Sequence, residues 1–206
     1  ILSLFSVEVI DRCIRKLKCN KAAGPDELTA EHLQHAHPIV TLNLSLLFSS
    51  IALHCYVPDK FGDGVIVPLL KDKSGDVNDP DNYRGITLIS VISKFFEMVL
   101  LEICSVYLVT DDLQFGFKRG LGCSNAIFLL QESVSYFVSR GSSVFAASLD
   151  IKKAYDTVNH FKLFTALLKA NVPKWIVLIL ANWYEKLWVA VKWKSSTSMF
   201  FRASSG

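Results

Sequence analysis

Ser143-Val-Phe-Ala-Ala-Ser-Leu-Asp150-Ile-Lys-Lys-Ala-Tyr155-Asp156-Thr-Val-Asn-His160 is the stretch on which the reading of this chain turns. Its first half, Val144 to Leu149, is a short apolar run that ends abruptly in a carboxylate. A run of this length between polar residues predicts a buried strand and is too short for a helix. An Asp at the carboxyl end of a buried strand lies where α/β proteins hold their ligands. Hard cations such as magnesium take carboxylate oxygens, usually one or two from the protein with substrate phosphates beside them. A strand-end Asp also serves as a helix N-cap, so this stretch alone leaves both roles open.

The chain has 206 residues, 51% of them apolar and 20% charged. That length and balance predict one or two domains with a sizeable core and exclude a disordered chain. A net charge of +3 permits a nucleic-acid partner without requiring one, since binders more often show a clustered basic face. Lys71, Lys73, Arg84 and Lys94 lie close in sequence, as do Lys118 and Arg119. From composition alone such charges read equally as a solvated surface. Five cysteines, at 13, 19, 55, 104 and 123, are odd in number and contain no Cys-x-x-Cys pair. They read as reduced thiols of an intracellular protein, nuclear or cytoplasmic, rather than as a zinc site. His32, His35 and His37 cluster without the cysteines or carboxylates that would complete a metal site. The chain shows no secretory leader and is expected not to be secreted. Residues 39–57 approach the length of a membrane span, but Pro38 and Pro58 bracket them like an ordinary buried helix. No membrane partner is expected.

Val7, Ile10, Ile14 and Leu17 recur at helical spacing and predict an amphipathic helix, with Ser6 as its N-cap. Thr29 caps a second helix to about residue 36, and a third, apolar helix follows over 39–55. Residues 64–70 and 83–88 read as strands separated by a polar loop rich in Lys, Asp, Gly and Asn, which makes a hairpin. Helices are predicted over 90–109, 124–138, 161–169 and 173–186, with Pro173 in a first turn. Strands are predicted over 187–193 and 199–202. The order is irregular, and an α+β fold suits it better than regular βαβ winding.

Several further motifs stand in order along the chain. They are Lys21-Ala-Ala-Gly24-Pro25-Asp26, Val67-Pro68-Leu-Leu-Lys71, Asn82-Tyr83-Arg84-Gly85-Ile86-Thr87-Leu88, Lys94-Phe-Phe-Glu97, and Gln114-Phe115-Gly116-Phe117 followed by Gly122-Cys-Ser124-Asn-Ala126. Together with Asp150-x-x-x-Ala-Tyr155-Asp156-x-Val158 they resemble the reverse transcriptases of non-LTR (LINE-type) retrotransposons. The resemblance runs from Lys21 to the end of the sequence. It implies an α+β fold made of the fingers and first part of the palm of a right-hand polymerase. Residues 1–60 would form a helical extension, 61–140 the fingers and 141–206 the beginning of the palm.

The implied chemistry is RNA-directed DNA synthesis from an RNA template, a DNA primer and deoxynucleoside triphosphates, with Mg2+ as cofactor. Such in-line displacement uses two metal ions about 3.5–4 Å apart. By resemblance Asp150 is the catalytic, metal-binding carboxylate, and the Ile151 carbonyl an additional ligand at the nucleotide. Tyr155 is the aromatic beneath the incoming sugar, placed to exclude a 2′-hydroxyl, although an aromatic there also reads as core packing. Arg84 and Lys71 are implied to grip the triphosphate, Arg as a fork and Lys as a point charge, with Lys94 as a further contact. Gln114, Phe115, Gly116 and Phe117 would lie near the template. Asp156 is expected to cap or bridge the segment after it. The four tryptophans, at 175, 183, 188 and 193, read as helix–strand packing.

Gly85 departs from the pattern, in which proline usually follows the arginine. The family's second carboxylate motif, an aromatic-Ala-Asp-Asp hairpin, is not found, and Thr110-Asp111-Asp112 lacks the flanking apolar strand that would make it one. The expectation is therefore a fragment that does not catalyse by itself. The alternative is a decayed element product that at most binds nucleic acid or protein. Neither oligomeric state nor target site is legible.

Overall fold

The computed structural model describes residues 2–151, 154, 155 and 157–203. The chain divides into two compact units, one of residues up to Tyr107 and from Tyr155 onward, the other Leu108–Ala154.

The larger unit opens with a 3-10 turn, Leu2–Phe5, and three helices: α1 (Val7–Ile14), α2 (Ala30–Gln34) and α3 (Pro38–His54). Ser6 holds the N-cap position of α1, but its hydroxyl makes no cap hydrogen bond there. Thr29 caps α2 in a reciprocal box with His32, and Pro38 opens α3, where a missing N–H costs nothing. Strand β1 (Asp63–Leu70) pairs antiparallel with β2 (Tyr83–Ile89), forming the expected hairpin. Helix α4 follows over Val91–Cys104, capped by the Ser90 hydroxyl, which accepts from the Ile92 N–H at 3.2 Å. It ends earlier than its apolar pattern suggested. Val106 and Val109 beyond it are exposed, with no core behind them to reward another turn.

Helices α6 (His160–Lys169) and α7 (Lys174–Glu185) lead into β3 (Trp188–Trp193), and Pro173 sits at the N-cap of α7. Strand β3 runs parallel to β1, while the short strands β4 (Ser196–Thr197) and β5 (Phe201–Arg202) pair antiparallel with β3. The sheet is thus mixed, ordered β2-β1-β3-β4 with β5 also on β3, and the fold is α+β.

Aromatics fill the core between these helices. Phe5, Phe48, Phe95 and Phe96 are fully buried, and the Phe48 and Phe96 rings lie 4.8 Å apart. Trp183 of α7 stacks on Phe96 at 5.8 Å and donates its indole N–H to the Phe61 carbonyl at 3.1 Å. The Asn182 side chain accepts from the Val57 N–H at 2.9 Å, and Lys186 donates to the Val57 carbonyl at 2.6 Å. These bonds tie α7 to the linker between α3 and β1. On the other side Glu102 of α4 receives Lys16 at 2.8 Å and Arg12 at 3.1 Å, and the Lys16 bond holds its carboxyl below the usual range. Among the described residues no helix is long and apolar enough to cross a membrane.

The smaller unit contains α5 (Cys123–Val138) and the segments on either side of it. The strand expected at residues 144–149 is not formed. Residues 142–151 have no regular structure, and Phe145 and Leu149 are almost wholly exposed. A strand's N–H and C=O groups need a neighbouring strand to bond to. No described residue of this unit is in one.

Candidate functional site

The hairpin is built by two β-rich runs whose register is continuous from Gly64↔Ile89 to Leu70↔Tyr83. Side chains alternate between faces along a strand, and residues directly opposite share a face. Arg84 stands opposite Leu69, and two pairs further out, beyond Leu70↔Tyr83, the Lys71 N–H donates to the Asn82 carbonyl at 2.8 Å. Lys71, Leu69, Arg84 and Asn82 therefore share one face, with the two cations as diagonal neighbours. Both are exposed. Lys71 is tied back by its ammonium to the Asp81 carbonyl at 2.7 Å. On the opposite face Tyr83 packs against Trp193 of β3, with ring centroids 5.1 Å apart.

The loop between the strands is held from inside by Asn82. Its carboxamide oxygen accepts from the Asp72 N–H at 3.2 Å, and its nitrogen donates to the carbonyls of Asp72 at 3.1 Å and Asp76 at 3.2 Å. The Tyr83 hydroxyl adds a bond to the Val77 carbonyl at 2.9 Å. Asp72 receives the Ser74 hydroxyl and N–H, which lowers its carboxyl below the usual range. No role for Asn82 or Tyr83 was legible beforehand. The available signal was an Asn at the strand entry, closing a loop that contains Gly75.

Lys94 is placed elsewhere. It lies in the first turn of α4 and lines a cleft of about 410 Å³ with Lys16, Lys18, Lys21, Glu97 and Met98. Burial raises the Glu97 carboxyl, partly offset by Lys94. The Gly-Pro-Asp segment has a definite position in the same unit. A Cβ on Gly24 would stand 2.3 Å from the Ile89 carbonyl oxygen, and the Asp26 carboxylate accepts from the Ser90 hydroxyl at 2.5 Å. The segment thus braces the junction of β2 and α4. His32 and His37 serve as capping acceptors, for the Thr29 N–H at 3.0 Å and the Ile39 N–H at 3.2 Å.

In the smaller unit Asp150 and Ile151 are exposed on the irregular segment. A carboxylate and a main-chain carbonyl are the hard oxygen donors magnesium prefers. The donor chemistry therefore fits a contribution to such a site. Among the described residues no group of three or more His, Cys, Asp or Glu could hold a metal ion. Gln114 to Phe117 form a turn: the Gln114 N–H donates to the Asp111 carbonyl at 3.0 Å and its side chain to the Gly116 carbonyl at 3.2 Å. Phe117 has a left-handed backbone, with φ of 60°, and is 92% exposed, so it is no core residue of its unit. Asp111 caps this turn, accepting from the Leu113 N–H at 2.8 Å. Tyr155 belongs to the larger unit and is exposed. Asp156 lies outside the described residues.

Residues 70–204 match the family model of reverse transcriptase (RNA-dependent DNA polymerase). The chain is 28% identical over 150 residues to a 115 kDa protein in the type-1 retrotransposable element R1DM of Drosophila melanogaster, covering 72% of this chain and 14% of that one. It is 26% identical over 203 residues to the probable RNA-directed DNA polymerase from transposon X-element of the same species, covering 97% and 22%. It is 27% identical over 154 residues to a Pol polyprotein from the type-1 retrotransposable element R2 of Nasonia vitripennis, covering 74% and 14%. The chain thus spans a minor part of the length of each relative. With the match extending from the tip of β1 through β5, the chain belongs to the reverse transcriptase family, and its relatives are those of non-LTR retrotransposons.

Proposed function

We propose that this chain is the fingers and first part of the palm of an RNA-directed DNA polymerase encoded by a non-LTR retrotransposon. The observation that carries the reading is the hairpin face on which Lys71 and Arg84 are diagonal neighbours, inside the span that matches the family. A planar guanidinium and a compact ammonium charge on one exposed face suit the triphosphate of an incoming nucleotide. Residues 1–60 act as the helical extension, 61–140 as fingers and 141–206 as the start of the palm. The free state of all five cysteines suits a reducing intracellular compartment.

Asp150 contributes a metal-binding carboxylate, and the Ile151 carbonyl is available beside it. Bound magnesium would supply charge neutralisation for phosphoryl transfer. The apolar run 144–149 becomes a strand when the remainder of the palm, carried by the rest of the full-length protein, offers it a ladder partner. Its exposed Phe145 and Leu149 are the residues such pairing would cover. Tyr155 bounds the sugar site, and Gln114 to Phe117 face the template.

The test is extension of a DNA primer on an RNA template by the full-length protein with deoxynucleoside triphosphates. Incorporation directed by the RNA sequence supports the reading. Binding of template and primer without any incorporation makes the protein a nucleic-acid binding module instead.

A further inference from the structure

We infer that Asn82 is a positioning residue for the nucleotide: its carboxamide sets the loop that holds Lys71 and Arg84 together before the triphosphate arrives. The inference rests on the reading of that hairpin face as the triphosphate grip, and it assigns a role that neither cation performs.

The geometry is specific to an amide. One oxygen accepts from the Asp72 N–H, and one nitrogen donates to two different carbonyls, of Asp72 and Asp76. Aspartate could offer no donor to those two carbonyls and would add charge repelled by them. Leucine of the same size would leave all three main-chain groups without this partner. The loop has made room for the amide, because a Cβ on Gly75 would stand 2.7 Å from the Asn82 nitrogen.

What the clamp fixes is the base of the cationic pair. Lys71 precedes Asp72 directly, and its own N–H is bonded to the Asn82 carbonyl at 2.8 Å. Its ammonium reaches the carbonyl of Asp81, the residue before Asn82, at 2.7 Å. Arg84 is two residues beyond Asn82 on the same face. One side chain thus ties the start of the loop to the strand that carries Arg84. Loosening it frees the main chain at Lys71, and the two cations no longer share one geometry. A preset pair loses less freedom on binding than a flexible one.

The experiment compares Asn82→Ala, Asn82→Asp and Gly75→Ala with Arg84→Ala in the full-length protein. It reads primer extension on RNA together with hydrogen exchange of the 71–83 segment. Gly75→Ala crowds the Asn82 amide while the residues at 71, 82 and 84 stay as they are. The expected result is faster exchange in the loop and a nucleotide KM raised about 3–10-fold with kcat changed less than about twofold. Asn82→Asp should be at least as severe as Asn82→Ala. Should Asn82→Ala fail to fold, Gly75→Ala and Asn82→Ser carry the same comparison. Faster loop exchange with unchanged KM, where Arg84→Ala raises KM, overturns the positioning role and leaves the triphosphate reading standing. An Arg84→Ala variant with unchanged KM overturns that reading, and this inference with it.

Discussion

Pro68 and Gly85 stand directly opposite each other in the β1–β2 ladder. The bond from the Lys71 N–H to the Asn82 carbonyl makes 71/82 a hydrogen-bonded pair. Antiparallel pairs alternate, so 68/85 is a pair that exchanges no hydrogen bonds. Proline at 68 therefore removes nothing from the bond to β2. On its other side the register with β3 ends at Ile66↔Val191, so no ladder bond is lost there either. The Gly85 N–H points away from β1, toward the open edge of the sheet.

Gly85→Pro should accordingly be tolerated, although proline is normally excluded from strands. It restores the residue usual at this place in the family and removes freedom from the unfolded chain. A gain of about 0.4–1 kcal/mol is expected, reduced if Ile66 yields poorly, because a Cβ at 85 would lie 3.1 Å from its methyl group. Denaturant midpoints of the chain and its variant measure this. A marked loss of stability would mean that the Gly85 N–H is needed and that the pairing is out of phase with this account.

Gly24 and Gly62 should behave in the opposite way. A Cβ at either would meet main chain, the Ile89 carbonyl at 2.3 Å and the Lys186 carbonyl at 1.9 Å. Main chain cannot rotate aside as a side chain does. Each Gly→Ala change should cost about 1–3 kcal/mol or more, read from the same midpoints. Tolerance of Gly24→Ala would show that the Gly-Pro-Asp segment does not pack on the β2–α4 junction.

The cleft on α4 yields a pH dependence. Glu97 keeps contact with solvent, but the protein around it displaces enough water to raise its carboxyl above the usual glutamate value. Between the unfolded and folded values the folded chain binds more protons, so Glu97's contribution to stability falls as pH rises through that window. Glu97→Gln should therefore raise the melting temperature relative to the wild type near neutral pH, with the difference vanishing in acid. An equal difference at both pH values would assign the effect to packing instead of ionisation.

For the cationic face, Arg84→Ala in the full-length protein should lower kcat/KM for nucleotide about tenfold to a hundredfold, the cost of a charged hydrogen bond to phosphate. Arg84→Lys should recover only part of it, because lysine cannot form the fork. Steady-state kinetics with varied nucleotide decide this. Unchanged kcat/KM for Arg84→Ala beside a large loss for Lys71→Ala would move the grip to Lys71.

The hairpin was legible because two β-rich runs flank a loop of Lys, Asp, Ser, Gly and Asn, a pattern with its own local physics. Helix α3 was equally plain from its apolar run and Pro38. The run 144–149 misled for a physical reason. Apolar character reports a demand for burial, but a strand also needs a ladder partner, and no partner is written in the run itself. Helix α4 ended early for a related reason, since Val106 and Val109 after Cys104 have no core to enter. The same-face placement of Lys71 and Arg84 follows from register, which the sequence only hints at. The clamp of Asn82 and the fit of Gly24 depend on contacts between segments many residues apart or on a particular loop geometry. Periodicity carries neither.

If Asp150 contributes to a polymerase centre, its loss must stop synthesis while nucleic-acid binding survives. The most direct measurement is RNA-templated primer extension by the full-length protein beside its Asp150→Ala variant, both checked for folding and for template binding. Templated synthesis by the wild type and its loss in the variant are expected, with RNA and primer binding retained. Undiminished synthesis by Asp150→Ala would contradict it.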